Sequence, residues 1–109
     1  MTIYNVTFMM ERSLKARFTG WLRARRADGL LSEEKGVVGA SLQEVVEVPG
    51  ESEFAEQALS VALQAKFIDR TAAHAWGRGA LASLLADYRK DFGPEALSFS
   101  TILETIDLE

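Results

Sequence analysis

Cysteine is absent from the chain. With it go disulfides, thiolate nucleophiles, iron–sulfur clusters and thiolate zinc sites. Histidine occurs once, at His74, which rules out a site of several imidazoles within one chain. Only two prolines are present, and no stretch rich in proline, glycine or serine divides the sequence. No apolar run approaches the ~18 residues that a membrane span needs. The opening MTIYNVTFMMER lacks both a basic stretch and a small-residue cleavage site, so it reads as a mature start and makes the cytoplasm the expected compartment. Excess positive charge is missing too. A net charge of −4 disfavours nonspecific attraction to phosphate backbones, so neither nucleic acid nor membrane is an expected partner.

What is present suits a packed globule. The 109 residues are 48% apolar and 26% charged, enough to bury one core without staples. They read as one domain over residues 1–109. Ile3 to Met10 is a strand: Tyr4, Val6, Phe8 and Met10 are apolar, and Ile3, Asn5, Thr7 and Met9 between them are mixed. The period then lengthens. Leu14, Phe18, Trp21 and Leu22 form the stripe of an amphipathic helix, with Ser13 as its expected cap and Asp28-Gly29 as its stop. Gly20 inside this helix suggests close approach to a sheet. Ala40 to Val48 reads as a second strand ended by Pro49-Gly50, and Ala55 to Ile68 as a third. A second helix, Thr71 to Phe92, carries Leu81, Leu84, Leu85, Tyr88 and Phe92, with Asp69 or Thr71 as cap. A last strand follows from Leu97 to about Leu108.

The order β-α-β-β-α-β predicts an α+β fold of the ferredoxin-like plan: a four-stranded antiparallel sheet, order 4-1-3-2, with two helices on one face. The other face is then bare. Its residues would be Ile3, Asn5, Thr7 and Met9 from the first strand and Ala58, Ser60, Ala62 and Gln64 from the third, with Thr101 or Ser100 from the last. That surface is too apolar for open water and too polar for a plain core. A homodimer through it is expected. Asn5, Thr7, Ser60, Gln64 and Thr101 are the candidate ligand-binding residues of a cavity between two such sheets, suited to a small apolar or amphipathic molecule. The plainer reading is an interface whose polar groups satisfy one another.

The opening I-Y-N-V-T (Ile3 to Thr7), the first helix with its central Trp21, and the closing F-x-T-x-L-E (Phe99, Thr101, Leu103, Glu104) resemble a bacterial domain-of-unknown-function family. The resemblance spans nearly the whole chain. It implies the dimeric α/β-barrel superfamily, in which two ferredoxin-like sheets pack face to face, and it brings no activity with it. The family pattern would place an arginine where Ser100 stands and a histidine near Ala80. If those residues serve a ligand, this member has lost or relocated them.

Other motifs have plainer explanations. Gly77-Arg78-Gly79-Ala80-Leu81-Ala82 fits G-x-G-x-x-A, but the residues before it read as helix and not as the strand a dinucleotide fingerprint requires. Arg12, Lys15, Arg17, Arg23, Arg25 and Arg26 gather half of the basic residues on the first helix, as an anion patch or as a solvated face. The third strand, ALSVALQAKF, lacks the aromatics with which sheet-based RNA binders stack bases. Two functional readings stand: a non-catalytic interaction or small-molecule-binding domain, or a cofactor-independent enzyme of the oxygenase or isomerase class with its site between the sheets. The second rests on fold analogy. Its general base would be His74, Glu44 or Glu104. No metal and no cofactor is expected.

Overall fold

The computed structural model describes residues 1–50 and 58–109. Strand β1 (Thr2–Glu11) is followed by a short 3-10 turn and helix α1 (Lys15–Ala27), then by β2 (Gly39–Glu44) and β3 (Ala58–Phe67). A long helical rod comes next, made of α2 (Arg70–Trp76), a π-helical turn (Gly77–Leu81) and α3 (Ala82–Phe92). Strand β4 (Leu97–Glu104) closes the sheet. All pairings are antiparallel and the order is β2-β3-β1-β4, the expected 4-1-3-2 read from the other side. This is the ferredoxin-like plan, with both helical rods on one face. The molecule is a slab 20 Å thick, the depth of one sheet and one helical layer.

The alternation decides which residues meet the helices. Val6, Phe8 and Met10 of β1 and Leu59, Val61, Leu63, Ala65 and Phe67 of β3 are buried against Phe18 and Leu22 of α1 and Trp76, Leu81, Leu84 and Tyr88 of the second rod. Leu14, Trp21 and Leu85 pack at the margin of this core. Tyr88 stacks edge-on to Phe8 at 4.9 Å. Its hydroxyl sits 3.1 Å from the Met9 carbonyl and 3.3 Å from that of Leu97, and its one proton is shared between them. Burial pushes this phenol up to about 12. The connector after α1 is pinned by buried Leu30 and Val37 and by the Trp76 indole, which donates to the Leu30 carbonyl at 2.9 Å.

Five local expectations differ. Ser13 lies inside the 3-10 turn and makes no capping bond, whereas Asp69 does cap α2, accepting from the Ala72 amide at 2.9 Å. Gly20 faces solvent, and a Cβ added there would meet nothing within 4 Å; the glycine in close contact is Gly77, where an added Cβ would stand 2.6 Å from the Tyr4 ring. The second helix is not regular, because the π-helical turn begins at that glycine. Strand β2 stops at Glu44 and not at Val48. One bond follows it, from the Val45 amide to the Ser60 carbonyl at 2.8 Å, and the Ala58 carbonyl accepts from Arg12 Nη2 at 3.3 Å. Strand β4 stops at Glu104 and not at Leu108: Glu104 pairs with Thr2, and beyond it the Thr105 amide donates to the Met1 carbonyl. The expected start of β3 at Ala55 lies outside the described residues, as does most of the PGESEF loop.

Candidate functional site

The helix-free face is built by register. Each row across the sheet takes one residue from each strand, and every second row points away from the helices. One row reads Ser41, Gln64, Asn5, Thr101. The next reads Gln43, Ala62, Thr7, Phe99. On one side of these lies Gly39, Lys66, Ile3, Leu103, and on the other Ser60, Met9, Leu97. All five candidate residues fall on this face. Three of them touch: Gln64 Nε2 donates to Asn5 Oδ1 at 3.2 Å, and Asn5 Nδ2 donates to Thr101 Oγ1 at 3.4 Å. Thr7 stands one row along. Ser60 stands two rows from Asn5 and is only 6% exposed.

Strand β4 supplies what the sequence reading missed. Its apolar residues Leu97, Phe99 and Leu103 point away from the helices and are 52%, 56% and 43% exposed. Its helix-side positions are Ser98, Ser100, Ile102 and Glu104. The usual order of a half-buried strand is thereby inverted. The signal was present in the alternation of LSFSTIL, but an apolar set is normally assigned to the core. Thr101 is the residue on the open face, and Ser100 is on the other. Among the described strand residues, charge on this face is confined to its ends, at Lys66 and Glu11.

The three candidate bases lie elsewhere. Glu44 points to the helix side, where its carboxylate meets Lys15 Nζ at 2.7 Å and Arg12 Nη1 at 3.0 Å. These hydrogen bonds, Lys15 first, hold it below the usual carboxylate range. Glu104 accepts from the Thr2 hydroxyl at 2.8 Å, which likewise lowers it. His74 is exposed on α2. The basic cluster of α1 is largely engaged. Arg25 pairs with Asp87 at 2.6 Å, Arg17 donates to the Asp91 carbonyl and lies over the Phe92 ring, and Arg12 and Lys15 hold Glu44. The G-x-G-x-x-A segment is the π-helical turn and follows a helix, so it is no dinucleotide loop. Among the described residues no three acidic or histidine side chains gather as a metal site would need, and no helix is long and apolar enough to cross a membrane.

Two solved structures share this architecture. The Arabidopsis thaliana protein At3g17210 superposes with a TM-score of 0.61 at 9% identity, covering 97% of this chain and 99% of its own. An R26S mutant of MhuD, crystallised with two manganese protoporphyrin IX molecules per active site, superposes with a TM-score of 0.55 at 16% identity, covering 98% of each chain. At such identities the likeness is one of fold. None of the curated proteins matches the sequence. A family model matches residues 1–106, nearly the whole length, and by that match the chain belongs to the family described as Domain of unknown function (DUF4286).

Proposed function

We propose that the chain, as one domain over residues 1–109, is a homodimer closed through the helix-free face, and that the space between the two sheets receives a small apolar or amphipathic molecule. The observation that carries this reading is the inverted β4. Leu97, Phe99 and Leu103 stand in solvent beside Ile3, Met9 and Ala62, around a hydrogen-bonded row of Asn5, Gln64 and Thr101. An apolar patch of this kind calls for a cover, and a two-fold dimer needs only one self-complementary patch. Burying about 400 Å² of apolar surface would contribute roughly 10 kcal/mol before the costs of association. Asn5, Thr7, Gln64 and Thr101, with Ser60 at the margin, would give such a cavity its polar centre.

A non-catalytic role fits better than the enzyme reading. Glu44, Glu104 and His74 all lie off the open face, and the described residues of that face bring no carboxylate or imidazole to its centre. The fold is shared with MhuD, whose R26S mutant was crystallised with two manganese protoporphyrin IX molecules per active site. Among the four residue types that commonly ligate haem iron (histidine, cysteine, tyrosine and methionine), the described part of this face offers only Met9. The cytoplasm is the proposed setting.

Sedimentation tests the assembly. The unmodified protein should run as a dimer at tens of micromolar. Ala62→Asp, in the row of Thr7 and Phe99, should give a monomer with an unchanged helical circular dichroism signal. A monomeric unmodified protein would overturn the reading.

A further inference from the structure

The two edges of the sheet differ in what they leave open. At the β2 edge the helical layer falls short and leaves a groove of about 480 Å³ against α1. The open-face residues of β2 are Gly39, Ser41 and Gln43, all small or polar. At the β4 edge the open-face residues are Leu97, Phe99 and Leu103 around Thr101. The helix-side residues of β4 stay accessible as well: Ser100 is exposed, and so is Ile102, at 36%. The second rod therefore does not overhang this edge, and another strand can approach it.

The backbone of β4 is open along the same edge. The Thr105 amide donates to the Met1 carbonyl at 3.0 Å, so these two residues form a hydrogen-bonded pair. Such pairs alternate along an antiparallel ladder. Leu103, Thr101, Phe99 and Leu97 are accordingly turned to β1, and the amides and carbonyls of Ser98, Ser100, Ile102 and Glu104 point outward. Natural edges are blunted by charge, proline or a bulge. From Leu97 to Leu103 this strand has none of them.

The edge also matches itself. Let a second β4 lie antiparallel with Thr101 opposite Thr101. On the open side Phe99 then faces Leu103, and Leu103 faces Phe99. On the helix side Ser100 faces Ile102, and the Ser98 hydroxyl faces the Glu104 carboxylate. No like charges meet. All the outward residues find partners, through about eight backbone hydrogen bonds. Any shift of the centre by one or two residues sets Phe99 or Leu103 against a hydroxyl or a carboxylate, that of Thr101, Thr105, Glu95 or Asp107.

We infer that the β4 edges of two copies pair in this register, about a two-fold axis that passes through the Thr101 pair perpendicular to the strands. This rests on the face-to-face dimer proposed above and adds its geometry. The two sheets converge at a β4 seam, where the exposed apolar residues are concentrated, and part toward β2, whose open-face residues suit water. The hydrogen-bonded rows of Asn5, Gln64 and Thr101 face each other inside. Lys66 reaches toward the mouth: its stem lies over Gly39, 3.5 Å from where a Cβ would stand there. A two-stranded ribbon is marginal by itself, so the seam holds only with the faces packed behind it.

The absence of cysteine makes a clean test. Across the seam the two Thr101 Cα atoms would stand about 4.5 Å apart, within the range of a disulfide. Mild oxidation should convert Thr101→Cys to a covalent species of twice the mass on a non-reducing gel. Ser41→Cys, at the mouth, should stay at single mass. Ser100→Pro removes an outward amide and no bond to β1, so it should keep its circular dichroism signal and weaken the dimer by roughly tenfold or more in sedimentation. A sedimenting dimer whose Thr101→Cys stays at single mass, or cross-links only when mixed with Ser41→Cys, would overturn the seam alone. So would an undiminished dimer in Ser100→Pro. A monomeric unmodified protein would overturn the dimer itself.

Discussion

Gly77 and Tyr4 show how one pair of residues shapes an element. Tyr4 is on the helix side of β1, stacked edge-on to Trp76 at 5.4 Å, and its ring occupies the place that a side chain at position 77 would need. The glycine lets the rod lie close over the strand, and the rod widens into its π-helical turn there. Gly77→Ala should therefore destabilise the fold by about 1–3 kcal/mol, the usual range for overpacking. In a Tyr4→Ala background the same change should cost little, and the double-mutant cycle would show the coupling in denaturant unfolding. Gly79 is the control. It has open space around it, so Gly79→Ala should stabilise by up to about 1 kcal/mol through helix propensity alone. From sequence these two glycines were equivalent members of one motif, because nothing local says which of them meets a ring from β1.

At the scale of elements, the junction of β1, α1 and β2 depends on charge. Glu44 on the edge strand receives Lys15 and Arg12, and Arg12 also donates to the Ala58 carbonyl of β3. The carboxyl is held below its ordinary range in the folded protein, so the unfolded chain binds its proton more readily. The stabilisation is then present above the ordinary glutamate pKa and is lost as pH falls through the lowered one. Thermal unfolding should show the midpoint falling as the pH drops below the ordinary glutamate value of 4.5, with a shallower fall in Glu44→Gln. An identical slope in the two proteins would remove the ion cluster from the account. The helix stripe Phe18, Leu22, Leu81, Leu84 and Tyr88 was readable from spacing alone, since 3.6-residue periodicity is a local property. The strand ends at Glu44 and Glu104 were not, because each is decided by a partner that is distant in sequence.

For the whole molecule, charge placement separates interaction classes. Arg12, Lys15, Arg17 and Arg25 are engaged within the chain, so among the described residues only Arg23 and Arg26 of the α1 cluster have no such partner, in a protein with net charge −4. Binding to RNA or DNA at physiological salt should therefore be undetectable at micromolar concentrations. A filter or polarisation assay showing such binding, abolished by Arg23→Ala with Arg26→Ala, would reverse that conclusion.

Composition and periodicity were enough for the ferredoxin-like plan, the identity of the core and the location of Asn5, Thr7, Ser60 and Gln64 on one sheet face, because each follows from a repeat of 2.0 or 3.6 residues along a single element; for β4 they left Thr101 and Ser100 as alternatives. Which side of β4 faces the helices, which polar residues touch, and where a groove is left beside β2 were settled by pairing. Register with β1 turned Phe99 outward and Ser100 inward, set Asn5 between Gln64 and Thr101, and made β2 an edge that the helices fail to cover. Those are relations between segments about 20 to 100 residues apart along the chain, and only the folded sheet brings them within reach of one another.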